Sequence, residues 1–114
     1  MKLLNDANRE ALKGYPLYSQ DGKKGDAIAV IRIFITGTEA TYYVLEADLD
    51  NGCFFGVYKT LEGWEYGYFY LDELESLELD RGLIHAEVDT TFTPTPLKEI
   101  KEVGGNILEL WNEQ

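Results

Sequence analysis

Cysteine and histidine are almost absent from this chain: its 114 residues include one of each. A single cysteine cannot form a disulfide within the chain, and one Cys with one His cannot complete a structural zinc site. No apolar run approaches the roughly eighteen residues that a membrane-spanning helix requires. The two leucines before Asn5 and Asp6 do not make a signal peptide. We therefore expect a cytoplasmic protein with no metal and no cofactor.

Basic residues are also scarce, since ten Lys and Arg stand against twenty-one Asp and Glu and the formal net charge is −11 at pH 7. The excess is confined to residues 39–89, where thirteen acidic residues accompany only Lys59 and Arg81. This stretch also holds ten of the fifteen aromatic rings. Negative charge repels phosphate backbones and anionic lipid, so we expect no direct binding to nucleic acid or to membranes. A basic protein is the natural partner, and solubility alone is the competing interpretation.

Length and composition predict a single α+β domain over residues 1–114, because 45% apolar and 13% aromatic residues exclude disorder and supply one core. Five segments have the residue patterns of β-strands, at 27–35, 41–49, 53–59, 64–70 and 83–89. In the second, the alternation places Tyr43, Leu45 and Ala47 on one face and Glu46 and Asp48 on the other. We predict an antiparallel, mostly meander sheet of about five strands with short helices at the N- and C-terminal ends.

Turn and helix signals separate these strands. Asp50-Asn51-Gly52 predicts a hairpin, because Asn-Gly tolerates positive φ at both turn positions. Thr93–Pro96 is predicted not to continue a sheet ladder. Three helices are predicted: one capped by Asn5 or Asp6 and ended by a left-handed Gly14, one over 71–77, and one from Pro96 through Glu102, bent at Gly104-Gly105 and resumed to Trp111.

His85, Glu87 and Asp89 share one face of the last strand and are the candidate catalytic residues. Alternate residues of a strand lie about 7 Å apart, so one metal ion could bridge two neighbours of this row. The corresponding function is a metal-dependent nucleic-acid hydrolase, and a solvated strand face is the competing interpretation. Cys53 is no candidate nucleophile, since its place beside two phenylalanines predicts a buried thiol.

Two short segments resemble known motifs, a calcium-binding loop and a nuclease motif, but do not match their residue spacing or geometry. A calcium loop starting at Asp48 would need glycine at its sixth position, whereas Gly52 falls at the fifth. Glu99-Ile100-Lys101 matches half of a nuclease motif, but on a predicted helix residues two apart diverge. A hairpin and a solvated helix face are the better interpretations.

The acidic middle of the chain supplies the candidate protein-binding residues. The carboxylates predicted to point outward are Glu46, Asp48, Glu65, Asp72, Glu73 and Glu75. Among them lies a stripe of four rings on one strand face: Trp64, Tyr66, Tyr68 and Tyr70. Two interpretations of this stripe stay open, core packing and a protein-binding face, because the tyrosine hydroxyls make the stripe amphipathic.

The order of several short elements resembles the bacterial family of domain of unknown function 2958. These elements are Pro16-Leu17-Tyr18, Cys53-Phe54-Phe55-Gly56, the segment from Tyr66 to Leu74 and the segment from Ala86 to Leu97. Where relatives commonly carry Glu-Arg-Asp, this chain has Glu87-Val88-Asp89. The resemblance implies a gene of the bacterial mobile-element pool, and some relatives are labelled single-stranded DNA endonucleases. The first hypothesis is a non-enzymatic acidic protein that docks a basic, DNA-handling protein. The second is the hydrolase, and the third is an accessory protein without a specific partner.

Overall fold

The structure is a computed structural model and describes residues 2–104. Its helices and strands, in chain order, are α1 (Asp6–Leu12), β1 (Ile28–Ala29), β2 (Ile31–Ile35), β3 (Thr41–Asp48), β4 (Cys53–Thr60), β5 (Gly63–Tyr70), α2 (Leu71–Ser76), β6 (Glu78–Leu79), β7 (Ile84–Val88), β8 (Thr95–Pro96) and α3 (Lys101–Gly104). Short 3-10 helices lie at Lys24–Asp26, Asp80–Gly82 and Leu97–Glu99.

The main sheet is antiparallel and has the strand order β5-β4-β3-β2-β7-β6. Strands β2 to β5 form a meander, and β7 pairs with the free side of β2 after the chain has passed through α2 and β6. The predicted α+β class is confirmed. The sheet has six strands rather than about five, because the two-residue strand β6 is too short to give a sequence pattern.

The predicted strand 27–35 is divided at Val30 into β1 and β2. β1 leaves the main sheet and pairs with Thr95–Pro96, so the prediction that this segment cannot continue a ladder is wrong. The backbone N–H of Leu97, just beyond the proline, donates to the Ala27 carbonyl at 2.9 Å. Because hydrogen-bonded and non-hydrogen-bonded pairs alternate in an antiparallel ladder, the Ile28–Pro96 pair next to this bond is a non-hydrogen-bonded one, where a proline removes no ladder bond.

Both predicted termini differ in detail. Asn5 caps α1 in a capping box, in which its side chain accepts from the Asn8 N–H at 2.8 Å. Gly14 does not have positive φ, and Lys13, the residue that follows the last helical residue Leu12, has ordinary helical φ and ψ. At the other end, a 3-10 turn and α3 replace the single predicted helix that begins at Pro96. Its predicted continuation to Trp111 lies outside the described residues.

A β-bulge in β3 overturns the predicted strict alternation. Val44 pairs with Gly56 and Glu46 pairs with Phe55, so Leu45 is the extra residue. Gly56 is required here, because a Cβ at this position would lie 2.0 Å from the Tyr43 carbonyl oxygen. The alternation therefore changes phase within the strand, and residues after the bulge do not occupy the faces that the sequence predicts.

Apolar clusters cover both faces of the sheet. The first lies under α1 and α2 and includes Leu12, Ile33, Val44, Phe54, Leu71 and Leu74. The second lies under the segments around β1 and after β8 and includes Ala27, Tyr43, Leu45, Val57, Leu97 and Val103. A sheet that is covered on both sides leaves mainly its edges, its strand ends and its outer helix surfaces for partners.

Candidate protein-binding surface

The six carboxylates predicted to bind a partner have three different environments. Glu65, Asp72 and Glu73 are exposed, Asp48 and Glu75 are half-buried, and Glu46 is buried. The exposed three belong to β5 and to the first turn of α2, which follows β5 directly. We call these three residues the acidic edge.

Two members of the acidic edge, Glu65 and Glu73, lie beside two tyrosine rings of the first sheet face. Tyr42 and Tyr58 stack with their ring centroids 5.5 Å apart. Burial and then the negative charge of Glu73 raise the pKa of the Tyr42 hydroxyl. Burial, followed by hydrogen bonding to Glu65, raises the pKa of the Tyr58 hydroxyl. Glu65 and Glu73 therefore flank the same ring pair and stand on the same face of the sheet.

Glu46 was predicted to point outward, and this prediction is wrong. Its side chain is 3% exposed. One carboxylate oxygen accepts the Tyr18 N–H and the other accepts the Gln20 N–H, both at 2.8 Å. The bulge at Leu45 turns Glu46 toward the loop that contains these residues. Both carboxylate oxygens of Glu46 are bound within the fold, so Glu46 is no longer a candidate contact for a partner.

Gln20 completes this buried polar site. Its side-chain amide donates to the carbonyl groups of Ile28 and Leu45 at 2.8 and 2.7 Å, and its carbonyl oxygen accepts the Ile28 N–H at 2.6 Å. Every polar atom of the Gln20 amide group thus has a backbone partner. Glu46 and Gln20 together hold the loop before β1 against the second face of the sheet.

Asp48 and Glu75 are half-buried, and each accepts hydrogen bonds from other residues of the chain. Asp48 accepts both the backbone and the side-chain N–H of Asn51, at 3.3 and 2.8 Å, and the side-chain bond is the main cause that lowers its pKa. These bonds close the predicted hairpin, in which Gly52 has positive φ and Asn51 does not. Glu75 accepts the Leu3 N–H at 2.8 Å and so ties the chain start to α2.

The stripe of four rings is divided between core and surface. Trp64 and Tyr66 pack against the second cluster, whereas Tyr68 and Tyr70 are 49% and 43% exposed. Hydrogen bonding to Tyr18, which is itself 65% exposed, is the main cause that raises the pKa of Tyr68. Core packing describes the first half of the stripe, and an accessible amphipathic surface describes the second.

The row of His85, Glu87 and Asp89 does not act as one unit. The His85 Nε2 lies 2.7 Å from a Glu87 carboxylate oxygen, and its Nδ1 lies 2.7 Å from the Gly82 carbonyl oxygen. The carbonyl of Gly82 and then Glu87 raise the pKa of His85. Asp89 instead accepts from Thr91, whose side chain is the main cause that lowers the pKa of this carboxyl. Among residues 2–104, no group of three His, Cys, Asp or Glu side chains could hold a metal ion.

Arg32 is a residue whose role the sequence pattern did not reveal. Its guanidinium lies 3.1 Å from an Asp89 carboxylate oxygen and 5.2 Å from the centroid of the Phe34 ring. The one available signal was its charge within an otherwise apolar strand. Because Arg32 binds Asp89 while Glu87 binds His85, the two carboxylates of the row face different partners.

The remaining candidates are structurally ordinary. Burial, followed by the charge of Asp48, raises the pKa of the half-buried Cys53 thiol. Lys98 forms an ion pair with Asp26 at 2.6 Å. Glu99 and Lys101 are exposed and lie on either side of the boundary between the last 3-10 helix and α3.

No helix within residues 2–104 is long and apolar enough to cross a membrane.

The fold defines a small α+β protein in which Glu65 of β5 and Asp72 and Glu73 of α2 are exposed. The chain belongs to the family described as protein of unknown function (DUF2958), whose family model matches residues 3–102. The family predicted from the sequence is thus confirmed. No curated protein and no solved structure matches the chain.

Proposed function

We propose that this chain is a small acidic binding protein of the bacterial mobile-element pool, which acts in the cytoplasm on a basic, DNA-handling protein. One observation carries the proposal: Glu65, Asp72 and Glu73 are exposed on β5 and α2, where no basic residue interrupts residues 60–80. Carboxylates held on a β-strand and on the helix that follows it can occupy a groove that otherwise receives phosphates. The resemblance to this one family, which implies a gene of the mobile-element pool, supports the biological setting.

Electrostatic recognition gives this proposal a specific signature. Charge complementarity raises association rates and selects against acidic partners, and exposed charges are screened by salt. A partner that recognises the acidic edge should therefore bind well at low ionic strength and be released as salt rises. A partner that binds apolar surface should not respond in this way.

The test is affinity capture from a bacterial lysate with the full chain immobilised, in steps from about 0.05 to 0.5 M salt, with the captured proteins identified by mass spectrometry. The test variant combines Glu65→Gln, Asp72→Asn and Glu73→Gln. The matched control combines Glu10→Gln, Asp21→Asn and Glu99→Gln, which remove the same charge at other exposed positions. We expect a basic protein that the control retains and the test variant loses.

Recovery of no basic protein, or of one whose binding ignores salt, would contradict the proposal and favour an accessory protein without a specific partner. Equal loss in both triple variants would assign the effect to net charge rather than to the acidic edge.

The alternative function is a metal-dependent nucleic-acid hydrolase that uses Glu87, Asp89 and His85. It has less support, because Asp89 is paired with Arg32 and Thr91 and Glu87 with His85. The test is incubation of the pure protein with single- and double-stranded DNA and RNA in Mg²⁺ or Mn²⁺. Cleavage that disappears in Glu87→Ala and in Asp89→Ala would favour this function.

A further inference from the structure

The two edges of the main sheet differ in how they are protected. Strand β6 forms one edge and has only two residues, whereas β5 forms the other and pairs with β4 without interruption from Gly63 to Tyr70. Proteins usually protect a sheet edge by shortening it or by adding lysine, proline or a bulge, since its outer N–H and C=O groups can pair with another chain. β6 is protected by its length. β5 contains neither lysine nor proline and has no bulge.

Within residues 2–104, no strand pairs with the outer side of β5. Side chains of a strand alternate between the two faces of its sheet. On one face, β5 presents the exposed rings of Tyr68 and Tyr70, and on the other it presents Glu65, with Glu73 of α2 on the same side. The edge is therefore bordered by tyrosine rings on one side and by carboxylates on the other.

We propose that the outer edge of β5 accepts an extended, lysine- or arginine-rich segment of a partner protein as an additional β-strand. This inference rests on the proposed function, for which it names a binding mode. Backbone hydrogen bonds to β5 would supply affinity, as in other cases of strand addition. Cationic side chains of the added strand would lie over Tyr68 and Tyr70 on one face and beside Glu65 on the other. Cations are attracted to the faces of aromatic rings as well as to carboxylates.

Charge argues against the other occupants of this edge. A second copy would pair β5 with β5 and bring Glu65 of each chain, and two net charges of −11, into proximity. Residues 105–114 carry Glu109 and Glu113 and no basic residue. A basic segment is the occupant that complements both faces of the strand.

The experiment uses a synthetic peptide that repeats Lys-Lys-Val-Val as the probe, because adjacent lysines of a strand point to opposite faces. The control is the same peptide with glutamate in place of lysine. Binding to the full chain is followed by titration at low salt, and amide hydrogen exchange is measured residue by residue with NMR. We expect the lysine peptide alone to bind. Every second amide from Gly63 to Tyr70, on the outer side, should gain at least about ten-fold protection.

A pair of variants makes the test specific to this edge. Glu65→Lys and Glu78→Lys change the net charge equally, and both residues are exposed on edge strands. Strand addition predicts that Glu65→Lys weakens peptide binding at least ten-fold, whereas Glu78→Lys changes it by about two-fold or less. Amide exchange of each variant without peptide should match that of the original chain, which checks that both variants are folded.

Binding of the peptide without new protection in β5, or equal weakening by both variants, would overturn strand addition while leaving an acidic binding protein in place. Absence of peptide binding would also overturn it, and the lysate capture would then decide the proposed function separately. Protection of β5 that rises with protein concentration in the absence of peptide would assign the edge to a second copy and overturn the proposal.

Discussion

The region around Glu46 and the acidic edge around Glu65 use the same residue type for opposite purposes. Glu46 is buried in the middle of the sheet and accepts two backbone N–H groups of the loop before β1. Glu65 is exposed on the outermost strand. Negative charge counted along the sequence therefore overstates the charge that a partner can meet. Substitutions in the buried region should therefore cost more stability than substitutions on the acidic edge.

Glu46→Ala should lower the free energy of unfolding by about 3 kcal/mol, because it leaves two backbone N–H groups without their charged acceptor. Glu65→Ala is the matched control and should change stability by less than about 0.5 kcal/mol, as exposed substitutions usually do. Chemical denaturation of both variants measures the difference. Similar stabilities of the two variants would contradict the structural role of Glu46.

Gln20→Ala should cost about 2 kcal/mol, since it removes a buried amide group that has three backbone partners. The exposed neighbour Ser19 offers a control, and Ser19→Ala should be close to neutral. The measurement is again denaturant unfolding, with hydrogen exchange of the Ile28 amide as a local probe. An unchanged exchange rate at Ile28 would show that Gln20 does not hold the loop.

Glu75→Ala should destabilise by about 1 kcal/mol, because the Leu3 N–H loses a half-buried acceptor. Glu73→Ala, on the same helix but exposed, should have a smaller effect. Thermal unfolding at fixed pH compares the two. If both substitutions are neutral, Glu75 belongs with the acidic edge rather than with the fold.

The half-buried His85 should make a contribution to stability that depends on pH. The Gly82 carbonyl and Glu87 raise its pKa above the ordinary value of 6.5, so its contribution to stability is fully present below that pH. The contribution is lost as the pH rises through the higher, folded-state pKa. NMR titration of the ring protons should show a lower pKa in Glu87→Gln. An identical pKa in Glu78→Gln and Glu87→Gln would contradict the pairing.

Local patterns predicted most strands and the hairpin, but contacts between distant residues determine the site. Asn51-Gly52 marks a turn by its own chemistry, and the predicted strand 64–70 matches β5 closely. The bulge at Leu45 has no local signal, because the glycine that permits it, Gly56, lies on the neighbouring strand. The burial of Glu46 depends on backbone groups of residues 18 and 20, which only the fold brings near.

The pairing of β7 with β2 could not be predicted from local patterns either, because it also joins distant parts of the chain. The pairing joins residues 33–35 to 86–88 across four intervening strands and a helix. It also brings Arg32 to Asp89, and so divides a row that appears continuous in the sequence. Alternation correctly placed His85 and Glu87 together, whereas it could not show which charge each carboxylate meets.

The most direct test of the central claim is an NMR titration of the full chain with the lysine-valine peptide, followed by assignment of every backbone amide that shifts. The claim is that a basic segment binds along β5 and the start of α2, where Glu65, Asp72 and Glu73 are exposed. It predicts that the largest shifts lie between Gly63 and Ser76 and disappear at high salt. Largest shifts in the loop around Tyr18 and Gln20, or shifts spread evenly over all acidic residues, would contradict it.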